Sequence, residues 1–332
     1  MPSLAERSPR AALLWNVFKT LLALGLIGFV VSKTDSTQLA ALRQRISLPW
    51  LLLDLALFTG LTLIKTGQYR ALTGREVPYR RVLNIVILQN AISNFVASSA
   101  GIASYLTLMK AEEGVKLRTG AASFLIAKMG DLLALSLFLA ATTAMAGSHV
   151  PVLRAVAILL LLSIALALAI CLLAILLRQR FIALLLGVLE RFHVMHLPVI
   201  QKGMAALQSL ADQEQGSIFR SLRVGTAYSL AYMAVTFAWS YCNLRVFSLV
   251  ISWKIVGFVN ALMQLISWVP IQVFGGLGIT ETTLVYMFGS FGVQQSEMAA
   301  VSIGLRLLQY FSNLVVLTYL PFGGLRRGNE GP

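Results

Sequence analysis

Acidic residues are scarce in this chain: 13 Asp and Glu stand against 27 Lys and Arg in 332 residues, for a net charge of +14, and charged residues of both signs make up only 12%. Soluble domains carry about 25% charged and ~45–50% apolar residues, whereas here the apolar set reaches 58% and the mean hydropathy is +0.79. This is the composition of an integral membrane protein. Cysteine is sparse as well: Cys171 and Cys242 each lie inside an apolar run, which excludes a disulfide framework and a zinc-binding pattern. The three histidines, His149, His193 and His196, offer at most a pair on one helical face, with no third ligand nearby. No metal and no cofactor is expected.

Enzyme signatures are missing too. The chain has no Gly-x-Ser-x-Gly elbow, no His-Glu-x-x-His helix, no Walker phosphate loop and no Gly-x-Gly-x-x-Gly fingerprint. No residue is assigned a catalytic role, and an ATPase domain has no room, so active transport would need an ion gradient or a partner. The basic excess would suggest nucleic acid in a soluble protein. Here the cations sit in loops beside apolar runs, where retention at the cytoplasmic face explains them and no nucleic-acid partner is expected.

What the chain does have is apolar length. A helix needs about 20 apolar residues to cross the hydrocarbon core, and 12–32, 51–71, 119–145, 152–177, 222–244 and 298–320 meet that test with interruptions. The first run follows Arg7 and Arg10 and lacks a small-residue cleavage pattern, so it reads as a retained span with a cytoplasmic N-terminus. Two further runs, 82–101 and 253–274, are long enough but carry polar or chain-breaking residues: Asn84, Gln89, Asn90, Ser93 and Asn94 in the first, Pro270 and Gly275-Gly276-Leu277-Gly278 in the second. If all eight runs cross, the basic residues outside spans divide roughly 12 to 12 and no orientation is preferred. If the two broken runs enter and turn back from opposite faces, the split becomes roughly 18 inside to 6 outside. Trp15, Trp50 and Trp253 lie near span ends, as interfacial anchors do.

The chain also repeats itself. Residues 100–131 and 277–309 align with one inserted residue, matching Gly101-Ile102 with Gly278-Ile279, Gly114-Val115 with Gly292-Val293, Ala121-Ala122 with Ala299-Ala300, and Lys128 with Arg306. Two related halves around a midplane site are a transporter signature. The expected fold is therefore an all-α polytopic membrane protein in a single domain over 1–332, with about six spanning helices and two re-entrant helical hairpins forming an inverted repeat. Repeat one covers about 82–145 and repeat two about 253–321, and eight full spans is the alternative. The linker 178–223 reads as an amphipathic helix on the inner surface, with Phe181, Leu184, Leu185, Val188, Leu189 and Phe192 at helical spacing.

The candidate substrate-binding residues follow from this plan. Ser98, Ser99 and Gly101 form one hairpin tip, and Gly275, Gly276 and Gly278 the other. A half-helix starting at midplane depth points its unpaired N–H groups and positive dipole end into the cavity, which suits a phosphate or carboxylate. Close helix packing is the competing use of such glycines. Ionisable residues inside the membrane cost about 2.5–3.5 kcal/mol each on insertion scales, so they face the interior and find partners. Four qualify: Lys128, Asp131, Glu281 and Arg306. Lys128 and Asp131 are spaced to pair on one helix face, whereas Glu281 and Arg306 must meet across elements. On a functional reading Lys128 and Arg306 hold an anionic head group, Glu281 relays protons or gates, and Asp131 and Pro270 are structural or coupling residues. On a structural reading these are two ion pairs and Glu281 complements the helix dipole. Lys65 and Arg70 are expected to snorkel to the interface, Asp54 to be solvated at the outer end, and Glu112-Glu113 to lie in a solvated turn.

Pro270 with Gly275-Gly276-Leu277-Gly278-Ile279-Thr280-Glu281 resembles the Gly-Gly-x-Gly-x-x-Glu signature of the flippase-like membrane domain of lysylphosphatidylglycerol synthases. Tyr105-Leu106, Gly114-Val115, Ala121-Ala122, Lys128 and Asp131 are similar to that family's earlier block. The chain departs from it at Phe274, where proline is common, and at Ala103-Ser104, where a Gly-Glu pair is common. Glu281 is thus left without a first-repeat counterpart. The resemblance implies a stand-alone member, without the soluble synthase domain, that flips an amphiphilic lipid across the bacterial cytoplasmic membrane. An aminoacylated phospholipid or a polyprenyl-phosphate-linked sugar would be the cargo. A membrane-embedded transferase using Glu112-Glu113, and a scaffold for envelope-lipid biosynthetic enzymes, are the other classes open to this sequence. A homo-oligomer is compatible with each.

Overall fold

Apolar runs with few internal breakers become long helices, and their polar ends fix where they stop. The computed structural model describes residues 37, 42–73, 77–95, 101, 104–105, 107–108, 117–146, 150–177, 179–191, 204, 208, 215–267 and 276–320. Helix α1 (Leu48–Leu72) opens with proline in its first turn, where the fixed φ suits a helix start and no hydrogen bond is lost. It closes when the Thr73 amide donates to the Tyr69 carbonyl at 3.0 Å. Helices α2 (Tyr79–Phe95), α3 (Leu117–Ala146) and α4 (Pro151–Leu177) follow, then α5 (Gln179–Arg191), α6 (Gln215–Val246), α7 (Trp253–Ile266), α8 (Ile279–Ser290) and α9 (Gln295–Leu317).

Among the described residues, four helices are long and apolar enough to cross a membrane: α1, the Phe124–Ala146 part of α3, α4 and α9. They coincide with four of the six expected spans, and the protein is a multi-pass membrane protein. The expected span at 222–244 lies inside α6, whose 32 residues extend about 48 Å. The run 12–32 lies outside the described residues. The polar runs yield the short helices: α2 has 17 residues and α7 has 14, fewer than the roughly 20 that a crossing takes. Helix α4 turns Leu159, Leu162 and Leu166 outward at 63%, 63% and 64% exposure, as lipid contact requires. On α5, Leu184 faces out while Ile182 is buried beside Met204.

Helix α6 is the axis of the bundle, lying along α1 on one side and α3 on the other, with α7 against α3 and α8 against α9. The largest apolar core joins α3, α6, α7, α8 and α9. Where α3 meets α6 the backbones nearly touch: a methyl group at Gly130 would come within 3.0 Å of the Gly225 carbonyl carbon and the Thr226 amide nitrogen. Small residues allow this approach, which dispersion and polar contacts then stabilise. Gly130→Val should force the two helices apart and destabilise the fold by about 1–3 kcal/mol, read as a lowered thermal midpoint of the purified protein in detergent.

Among the described residues the second repeat segment holds three helices and the first holds two. In the second, α7 leads to α8 and then α9; in the first, α2 precedes α3. Gly101 lies between α2 and α3 and packs on α2: a methyl group there would overlap the Ser93 hydroxyl and stand 2.9 Å from the Gln89 carbonyl oxygen. Tyr105, four residues on, is buried against Tyr69 with ring centroids 4.4 Å apart.

Candidate functional site

The turn that leads into α8 is built by glycine geometry. Gly276 and Gly278 both have φ of +83°, a backbone region that side chains with a Cβ rarely occupy. The turn they form delivers the chain into α8 with Glu281 in its first turn. The Gly278 amide donates to Oε2 of Glu281 at 2.6 Å, which satisfies one of the orphan N–H groups at the helix start and puts a carboxylate on the positive dipole end. The other carboxylate oxygen, Oε1, accepts from Nε of Arg306 at 2.5 Å. Arg306 sits at the middle of α9, and the two side chains are only 7% and 8% exposed. Glu281 and Arg306 therefore do meet across elements, and one carboxylate both caps a helix and neutralises a buried cation.

This pair forms one wall of a cavity of about 250 Å³. Ser93 and Asn94 from the end of α2, Ser267 from the end of α7 and Thr280 from the start of α8 also line it, so the ends of these three helices face the same space. Trp239, Ser240 and Asn243 of α6 close another side. Amide contacts stitch the repeats together here. Gln309 on α9 donates to Oδ1 of Asn94 at 2.8 Å, and Asn94 donates to Oδ1 of Asn313 at 3.2 Å. Ser240 donates to Oδ1 of Asn260 on α7 at 2.9 Å. Asn94, one of the polar residues that set 82–101 apart from an ordinary span, thus finds its partners at this cavity.

A second buried cluster lies elsewhere, among α1, α3 and α6. Lys65 donates to both Asp131 oxygens at 2.9 and 3.0 Å, Lys128 to one at 3.3 Å, and Ser229 to the other at 2.8 Å. Gln68 extends the network by donating to Ser229 at 2.7 Å. Pairing of Lys128 with Asp131 is present, yet Lys65 is the closer partner. This corrects the expectation that Lys65 snorkels: its ammonium turns inward, 5.1 and 5.4 Å from the ring centres of Tyr232 and Tyr69. Lys128 does not line the cavity that holds Arg306, so the two repeat-related cations are not brought together on one space. Asp54 is a second correction. It is fully buried, not solvated, and its Oδ2 stands 3.1 Å from the Ser312 hydroxyl on α9.

Gly276 and Gly278 form the turn into α8, Glu281 lies in its first helical turn, and Gly101 packs on α2. Ser98, Ser99, Gly275 and Pro270 lie outside the described residues, as does Glu112-Glu113. Among the described residues no three His, Cys, Asp or Glu side chains converge. Sequence reasoning missed Lys65, Asn260 and Gln309 as site neighbours. The signal for Gln309 was available, because it occupies the repeat position equivalent to Asp131.

The family described as lysylphosphatidylglycerol synthase TM region matches residues 16–316 of the chain. The protein belongs to that family. The match covers α1 to α8 and all but the last residue of α9. Neither the curated proteins nor the solved structures contain a match to the chain.

Proposed function

We propose that the protein translocates an amphiphilic lipid across the bacterial cytoplasmic membrane without catalysing a chemical change, holding the polar head in the central cavity while acyl or prenyl chains stay in the surrounding lipid. The family supplies the link to membrane lipid. The observation that carries the reading is the meeting of the ends of α2, α7 and α8 on one polar cavity with a neutralised ion pair at its wall. A polar head needs such an enclosure because the hydrocarbon core offers it no hydrogen bonds. The short lengths of α2 and α7 and the roughly 18-to-6 charge split support six crossings with two opposed re-entrant hairpins and a cytoplasmic N-terminus. An aminoacylated phospholipid and a polyprenyl-phosphate-linked sugar are the two cargo classes in view. Enzymes that make such lipids are the natural partners.

Reconstitution into vesicles with a labelled lipid tests the reading. Glu281→Gln and Arg306→Ala should each reduce transbilayer movement at least about tenfold, the effect of losing about 1.4 kcal/mol at the rate-limiting step. Movement at the wild-type rate in both variants would remove the cavity from the mechanism.

A further inference from the structure

Resting on the translocation reading, we infer that the head group this cavity takes is neutral and polyhydroxylated, a glycosyl unit or a similar polyol, and not a cationic aminoacyl group. Charge is the first argument. Glu281 and Arg306 are the only charged side chains among the described residues that line the cavity, and they neutralise each other. The one carboxylate already receives the Arg306 guanidinium on one oxygen and the Gly278 amide on the other. An ammonium entering here would lose its hydration without gaining a counter-ion, and an unpaired buried charge is strongly disfavoured.

Hydrogen-bonding chemistry is the second. The lining presents five side-chain amides, Asn94, Asn243, Asn260, Gln264 and Gln309, together with several Ser and Thr hydroxyls. An amide offers donors and acceptors side by side, as a hydroxyl does, so rows of amides match rows of sugar hydroxyls. Asn260 makes the case specific. It is 8% exposed, its Oδ1 is held by Ser240, and its Nδ2 has no hydrogen-bond partner. A buried donor without an acceptor costs free energy that a ligand oxygen would return. At about 250 Å³ the space lies just below the ~300–1,000 Å³ of ordinary small-molecule sites, which suits one ring and not an oligosaccharide.

The test uses the full chain in nanodiscs and in proteoliposomes with three labelled probes: undecaprenyl-phosphate-glucose, whose one phosphate belongs to the anchor and would stay outside the cavity with the prenyl chain, glucosyl-diacylglycerol, and lysyl-phosphatidylglycerol. Glucosyl lipid should bind and cross at least about tenfold faster than the lysyl lipid, with the two glucosyl probes telling whether the prenyl-phosphate or the acyl anchor is preferred. Asn260→Leu should weaken glucosyl binding about five- to tenfold, the cost of one buried hydrogen bond. Asn260→Asp, which places a carboxylate in the cavity, should narrow or reverse the preference for glucose over lysine. Lysyl lipid crossing as fast as the glucosyl lipids would overturn the inference and leave translocation standing. Glucosyl lipid that binds in an Asn260-dependent way but never crosses would support the assignment and sink the translocation reading. Glucosyl binding that is absent, or unchanged in both Asn260 variants, overturns the inference.

Discussion

Asp131→Ala is expected to destabilise the bundle by about 3–5 kcal/mol, because it strips the counter-ion from a buried cation. Asp131 ties α1, α3 and α6 together through one side chain: Lys65 comes from α1, Lys128 from α3 and Ser229 from α6. Removing it leaves the Lys65 ammonium, 13% exposed in its side chain, with aromatic rings as its neighbours in place of a carboxylate. Cation–π contact recovers about 0.5–2 kcal/mol of that loss at best. Lys65→Met should cost less, since Lys128 and Ser229 still donate to the carboxylate. The double variant Lys65→Met/Asp131→Leu should be more stable than Asp131→Ala alone. Thermal and denaturant unfolding in detergent measure all three, and an Asp131→Ala midpoint equal to wild type would mean that water reaches the cluster.

Arg306→Leu is expected to separate stability from function. Alone it leaves Glu281 charged at the middle of the bundle without its guanidinium partner, and a broken buried pair of this kind costs about 3–5 kcal/mol. Pairing it with Glu281→Gln removes the orphan charge, and the side-chain amide oxygen introduced by that change can still accept from the Gly278 amide, so most of the stability should return. Lipid movement should not return with it, because the cavity wall has lost its paired charges. Stability and movement recovering together would show that the pair is structural only; measuring unfolding and vesicle transport on the same preparations decides it.

How much of this was legible beforehand follows from the range of the interactions involved. Span positions at 51–71, 119–145, 152–177 and 298–320 could be read directly, since crossing a hydrocarbon core is a demand on local apolar length. The weakness of 82–101 and 253–274 as spans was equally plain from Asn84 to Asn94 and from the glycines after Pro270. The four intramembrane charges were identified by composition alone, and pairing of Lys128 with Asp131 by helical spacing. Lys65 was misjudged because its place near the end of α1 suggested snorkelling, and nothing in the neighbouring residues says which way a helix face turns. Asp54 failed for the same reason: its Ser312 partner is 258 residues away.

The amino-acid sequence determined that this chain lives in a membrane, where its long apolar helices run, that two segments share one plan, and that Lys128, Asp131, Glu281 and Arg306 needed partners, because each of these is set by composition or by spacing along the chain. Only the tertiary structure decided that Lys65 is the main partner of Asp131, that Arg306 and Lys128 serve different clusters, and that Asn94, Asn260 and Gln309 meet around one neutral cavity. Those outcomes depend on how α1, α2, α6, α7 and α9 rotate against one another. Rotation is chosen by close contacts such as Gly130 on Gly225, whose energy exists only once distant segments have packed.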